Sequence, residues 1–538
     1  MKADLAIFAK VYREDGSEAE ACAVKDDRII AVGSAKEISI LVEESTEVIY
    51  APGSALLPGF TDGHAHISFA KKVFNGIDLS DKKTEEGCRK EIREFKANHP
   101  DLKFVYGQGY SVDCFGEKGK LKNILDELYP DTPVLIESDG CHSVWVNEEF
   151  IRQNLSGDIS FLPSGGVWKK DDGSLLGFFC EAAADKVLDL MPETTIEDYK
   201  KAFLDFQERV LPLGIQMVQE PICYCCFHEI QKIVKAFREL DNERKLLLRV
   251  KANIKCKPED NEDEVLDYIE KERANPGYHF EVQGMKLFMD GVVEERTALL
   301  LEDYADKPGY KGEGLWDQER LDKLVLKTRL RGIPVHVHTM GDGATEMIIK
   351  ALENAANSTG IRNLRDTFTH LQVLNEDQCG RIAALGVTAC VNTYWHFHEH
   401  SYYATKDLPY LGKERAEAEY RVKSLLDKGV VLSQGSDWPV SNPPNPLEGV
   451  EIGVTRRMPG NLTSSPMTPS EKVDIKDMLK AVTYGGAYQL ELERETGSIA
   501  TGKLANMILL EEDPTECEPS EIHSIRILNS WIDGKQVS

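Results

Sequence analysis

The sequence predicts an α/β protein: a (β/α)8 TIM-like barrel, a small β-sandwich domain built from both termini, and a large insertion after barrel strand 1. Eight short apolar runs recur through the body of the 538-residue chain, separated by stretches of helical character. Both ends carry short strand-like runs, too few at either end to close a core. Between the first two apolar runs lie about residues 70–200, far more than a barrel connection needs.

The eight runs are Leu56–Phe60, Ile215–Gln219, Leu246–Ala252, Gly284–Met289, Pro334–His338, Thr367–His370, Val387–Val391 and Val430–Ser433. Eight is the strand count of such a barrel. Amphipathic stretches such as Thr345–Ala356 read as the packing helices between them. Near the start, Glu20–Val24 and Arg28–Val32 flank Lys25-Asp26-Asp27, a hairpin signal; near the end, Asn506–Leu510 and Ile525–Leu528 precede a turn at Asp533-Gly534. The expected domains are residues 1–56 with 489–538 as the composite small domain, and 57–488 as the barrel with an insertion subdomain at about 70–200. That insertion contains Val134-Leu135-Ile136 as a strand of its own.

Composition bounds the function. Hydrophobic residues make up 41% and charged residues 29%, an ordinary globular balance that argues against disorder, collagen and coiled coil. Lys and Arg number 64 against 91 Asp and Glu, a net charge of −27 that repels nucleic acid and anionic membranes. No apolar run reaches the roughly 18–20 residues of a membrane span. Asp4 stands where a signal peptide would be apolar, so the expected location is cytoplasmic. The twelve cysteines lack framework spacing, and the cluster Cys223, Cys225 and Cys226 reads as free thiols.

Chemistry concentrates at the ends of the runs. His64 and His66 follow the first, and residues two apart on extended chain point to one side, so both imidazoles can reach one metal. His338 closes the fifth run, His370 closes the sixth, and Asp437 follows the eighth. Each alone could be structural; together, at the C-terminal ends of successive barrel strands, they converge above the axis. Lys286 lies in Met285-Lys286-Leu287-Phe288-Met289, where a buried ammonium is costly. Either that polar face meets solvent, or the neutral amine has reacted with carbon dioxide to give a carbamate able to bridge two cations.

These residues resemble the amidohydrolase superfamily, and within it the YtcJ-like (amidohydrolase 3) family. The resemblance rests on Leu57-Pro58-Gly59-Phe60-Thr61-Asp62-Gly63-His64-Ala65-His66, Lys286-Leu287-Phe288-Met289-Asp290-Gly291, Arg296-Thr297-Ala298 and His338-Thr339-Met340-Gly341-Asp342. It continues through Thr369-His370-Leu371-Gln372, Gly435-Ser436-Asp437-Trp438-Pro439-Val440, Gly497-Ser498-Ile499 and Gly502-Lys503-Leu504-Ala505. It implies that His64, His66 and Asp437 hold one divalent metal, that His338 and His370 hold a second, and that N6-carboxylated Lys286 bridges them. Zinc, as one or two ions, is the expected cofactor. Three positions depart from the family pattern: Thr369 stands where many relatives have Glu, Asn506 replaces Asp, and Cys141 interrupts an Asp-Gly-His run.

The implied activity is hydrolysis of a C–N, amide-type bond in a small organic molecule. Water is activated by metal, with Asp437 as catalytic base and then acid. The alternatives are a deaminase or lactone hydrolase on the same site, or a non-catalytic regulatory protein on the enzyme scaffold. His142, Trp145 and Tyr110, in the insertion, are the expected substrate contacts, with Trp168 a further aromatic. His396, His398 and His400 alternate in a loop at the barrel mouth, His336 reads as barrel interior, and Arg296 and Arg456 are candidate carboxylate binders. The expected partners are a small-molecule substrate and, as a homodimer, a second copy of the chain.

Overall fold

Eight parallel strands follow one another around the barrel in chain order: Phe60–Asp62, Ile215–Ile222, Arg249–Lys255, Phe280–Phe288, Val335–Thr339, Thr367–His370, Thr388–Val391 and Leu432–Gln434. They come from a computed structural model describing residues 2–13, 16–74, 76–80, 82, 84–110, 120–138, 143–163, 166–180, 182–223, 227–398, 402–461 and 463–538. Ile215–Ile222 is buried at every position, as a parallel strand covered on both faces must be. The sheet comes close to closing on itself, with Gly63 N–H donating to Gln434 O at 2.7 Å beyond the first and eighth strands.

Helices pack outside on apolar stripes. Phe227–Asn242 buries Ile230, Ile233, Val234, Phe237 and Leu240, the spacing of one helical face. Asp342–Thr359 buries Ile348, Ile349, Leu352, Ala355 and Ala356, and stops at Gly360, whose φ of 77° suits a residue without Cβ.

The first barrel strand is displaced from its expected position. Leu56–Pro58 belongs to a longer strand, Glu47–Pro58, in a different sheet, where Leu56 pairs with Val11 and Leu509. The chain changes sheet at Gly59, whose N–H donates to Asn506 O and where a Cβ would fall 1.9 Å from Gln216 Oε1. That second sheet has seven strands drawn from both ends of the chain. Its order is Lys535–Gln536, Ile527–Ile532, Met507–Leu510, Glu47–Pro58, Leu5–Tyr12, Glu18–Lys25, Arg28–Gly33. Leu5, Ile7, Val24, Met507, Leu509 and Trp531 form its apolar core on one face.

The chain divides into two compact units, Met1–Ile67 with Phe206–Ser538, and Ser68–Asp205. The second has its own six-stranded sheet, in which Val134–Ser138 is a central strand. Neighbouring residues on that strand feed opposite cores: Val134 and Ile136 pack with Ile92 and Leu125, while Leu135 packs with Phe150 and Phe179. Among the described residues, no helix is long and apolar enough to cross a membrane.

Candidate metal centre

The loops after the first and eighth strands are interlocked by hydrogen bonds. Asp437 N–H donates to His64 O at 2.7 Å and His66 N–H to Trp438 O at 2.8 Å. The buried Asp62 carboxylate accepts from Ser436 N–H (2.9 Å), Ser436 Oγ (2.5 Å) and His64 N–H (3.2 Å). Below, Gln489 Nε2 donates to Gly63 O and to Gln219 Oε1. The result is a preformed corner: Asp437 Oδ1 lies 3.0 Å from His66 Nε2 and 3.2 Å from His64 Nε2. Burial pushes the Asp437 carboxyl up, but the His66 hydrogen bond and the field of His370 outweigh it and hold it below the usual range.

Each imidazole has one nitrogen engaged behind it. His66 Nδ1 donates to Pro221 O (3.1 Å), His338 Nε2 to Gly291 O (3.1 Å) and His370 Nδ1 to Asn392 Oδ1 (3.0 Å). His64 Nδ1 meets His336 Nε2 at 2.7 Å. This is how metal-binding histidines are oriented, the engaged nitrogen fixing which one is left for an ion. His338 and His370 sit edge to face at 4.6 Å, and His64 and His370 at 5.2 Å. Burial and the neighbouring Lys286 push His338 down to about 4, leaving it neutral.

Lys286 completes the centre. It is fully buried, pairs in register with His336, and its Nζ has no hydrogen-bond partner. Burial pushes its amine down to about 8. Of the two readings of this lysine, a solvent-facing side chain is ruled out by its burial. Four imidazoles with one nitrogen committed, a carboxylate within reach of two of them and an orphaned buried amine make a donor set that fits divalent transition ions. Among the described residues, only His64, His66 and Asp437 already converge on one point.

Beside these residues opens a cavity of about 570 Å³. His338, His370 and Asp437 line one side, and Tyr394, Trp395, Tyr402, Tyr403 and Tyr420 are among the aromatic groups lining the rest. The family model described as "Amidohydrolase family" matches residues 47–538, nearly the whole chain. The chain belongs to the amidohydrolase family. It is thereby a metal-dependent hydrolase. The YtcJ protein of Bacillus subtilis (strain 168) is 28% identical over 541 residues, 98% of each chain. An N-substituted formamide deformylase of Arthrobacter pascens is 24% identical, over 96% of this chain and 94% of its own. A metal-dependent hydrolase from Pyrococcus furiosus shares the fold, with a TM-score of 0.77 and 24% identity, covering 95% of this chain and all of that one.

The surroundings of the other expected site residues of this amidohydrolase differ. Tyr110 and Trp145 lie in the apolar core of the Ser68–Asp205 unit, Tyr110 with its hydroxyl 2.6 Å from Ser143 Oγ, so both serve packing there. Trp168 packs against Phe178. His142, Cys141 and His400 lie outside the described residues, as do Cys225 and Cys226. His396 is buried, stacked on Tyr420, and takes a hydrogen bond from Arg456 through Nδ1, while His398 rests on Tyr403. Neither arginine is free for a substrate carboxylate: Arg296 pairs with Asp306 and covers the Tyr410 ring, and Arg456 is fully buried. Cys223 is a free thiol 3.5 Å from His66 Nδ1. Thr369 is buried with Oγ1 3.5 Å from Asn392 Oδ1, and Asn506 accepts from Asp533 N–H.

Several supporting residues escaped sequence reading. Asp290, quoted only as part of a motif, accepts from the N–H groups of Leu299, Met340 and Gly341, and so fixes the loop behind His338. Asp62 and Asn392 act likewise at the other strand ends. Asp62 had a signal in its place two residues before His64, whereas Asn392, 22 residues from His370, had none.

Proposed function

We propose that this amidohydrolase cleaves a C–N bond of amide type, in an N-acyl or N-formyl derivative of a small organic molecule. The observation that carries the reading is the Asp437 carboxylate, in contact with two imidazoles and lining the cavity. His64, His66 and Asp437 would hold a first divalent ion, and His338 and His370 a second. Lys286 would supply a further ligand by adding its neutral amine to carbon dioxide: an N–C bond forms, the nitrogen's proton passes to water, and a carboxylate results. Zinc suits an imidazole-rich set. Bound there, such ions supply Lewis acidity and bring a water's pKa towards neutrality.

Asp437 receives the proton of the attacking water at its carboxylate and returns it to the departing nitrogen. An amide needs that return, because its nitrogen leaves poorly without a proton. The test compares wild type with Asp437→Asn on matched amide, lactone and cyclic-amidine panels. Amide turnover, lost in the variant with metal retained, supports the reading. Ammonia from the amidines, with amides untouched, replaces it by a deaminase. Elemental analysis showing under about half an equivalent of any transition metal after supplementation removes the metal centre altogether.

A further inference from the structure

The cavity carries more acid than catalysis needs. Besides Asp437 it is lined by Glu294, Asp407 and Glu448, and among the described residues no lysine or arginine lines it. Behind Asp407 lies Glu419, fully buried, and the two carboxylates are joined through Gln372, whose Nε2 donates to Glu419 Oε1 at 2.6 Å and to Asp407 Oδ1 at 3.5 Å. Gln372 itself lines the cavity at 2% exposure, and its Oε1 has no partner; neither has Glu419 Oε2.

The nearby cation, Arg456, acts on Glu419 only through its field and makes no hydrogen bond to either carboxyl group. Arg456 directs its guanidinium to His396 and to the carbonyls of Met467, Tyr420 and Glu419, never to a carboxylate. Buried carboxylates without counter-charge are costly. Burial raises both Asp407, to about 7, and Glu419. Nor do these oxygens form a second metal site: the only converging triad among the described residues is His64, His66 and Asp437. The rings of Trp395, Tyr402 and Tyr403 line the same cavity, and Glu294 is hydrogen-bonded to Tyr402. Aromatic faces beside uncompensated carboxylates are what an organic cation requires.

We infer that the substrate carries a cationic group, an ammonium or amidinium, seated among these rings beside Asp407 and Glu419. The inference deepens the amide reading and rests on it only for what is cleaved. The test uses two probes of the same shape that contain no hydrolysable bond: choline, and its neutral carbon counterpart 3,3-dimethylbutan-1-ol. Each is titrated calorimetrically into the metal-loaded protein.

Choline is expected to bind at least about tenfold more tightly, and Asp407→Asn, Glu419→Gln and Glu294→Gln, each made separately, are expected to bring the ratio towards one. Equal binding or a preference for the alcohol in wild type overturns the inference, as does a ratio unchanged in all three variants. Because wild type alone can refute it, a variant that fails to fold does not protect it. Charge preference without amide turnover removes the amide reading and leaves this one. Neutral amides cleaved without charge preference do the reverse.

Discussion

The two corners of the metal centre are built differently. His64, His66 and Asp437 stand on loops cross-linked by main-chain hydrogen bonds and by Asp62, so their donor atoms are already gathered. His338 and His370 are each fixed from behind by one acceptor, Gly291 O and Asn392 Oδ1, and lie apart from the first triad. Preorganisation sets affinity. On the proposed two-ion reading, the first corner would bind an ion before the second, and the second would depend on Lys286.

The largest expected effect tests the corner both roles share. Asp437→Asn should lower turnover by roughly 10²–10⁴-fold, the span of general acid–base catalysis, in steady-state assays with metal content measured alongside. Next comes Lys286→Ala. It should remove the weaker ion while the tighter one stays, and acetate or formate in the buffer should restore part of the activity. Loss of both ions together would erase the distinction between the corners.

A smaller pair of changes sharpens it. His336→Ala removes the contact behind His64, and Asn392→Ala the contact behind His370. Each should weaken metal binding by about 10–100-fold in chelator competition, the first acting on the tighter ion and the second on the weaker. The smallest effect is a control away from both. Asp533 takes hydrogen bonds from Arg249 and His279, and although burial pushes its carboxyl up, these two hold it well below the usual range. A depressed carboxyl contributes stability that is present above its unfolded value of about 4 and lost as pH falls further. Asp533→Asn should therefore cost about 1–3 kcal/mol at neutral pH by denaturant unfolding, with the gap to wild type narrowing below about pH 4. Metal binding should not change.

Much of this was legible in the chain. All eight barrel strands announce themselves because a strand covered on both faces is a short apolar run. The first was placed a few residues early, because Leu56-Leu57-Pro58-Gly59-Phe60 is continuously apolar and only long-range pairing reveals that its first part serves another sheet. The convergence of His64, His66 and Asp437 was readable from strand-end placement. The supporting shell was not: His336 lies 272 residues from His64, and Asp62 lies 374 from Ser436. Gln372, Asp407 and Glu419 look like ordinary polar residues until the fold brings them together. That Tyr110 and Trp145 belong to the core of their unit was hidden for the converse reason, since an aromatic suited to a pocket is equally suited to a core.

The crossing at Gly59 has a consequence for synthesis. The strand that leads to His64 is made early, yet its neighbours Met507–Leu510 emerge only after the whole barrel has been translated. Gln216, on the second barrel strand, likewise waits for Met507, Ser530 and Trp531 to accept its amide hydrogens. In a ribosome-bound chain halted before these residues, His64 and His66 follow a strand, Glu47–Pro58, whose sheet is unfinished. The earliest-made part of the candidate site is thus among the last to be braced.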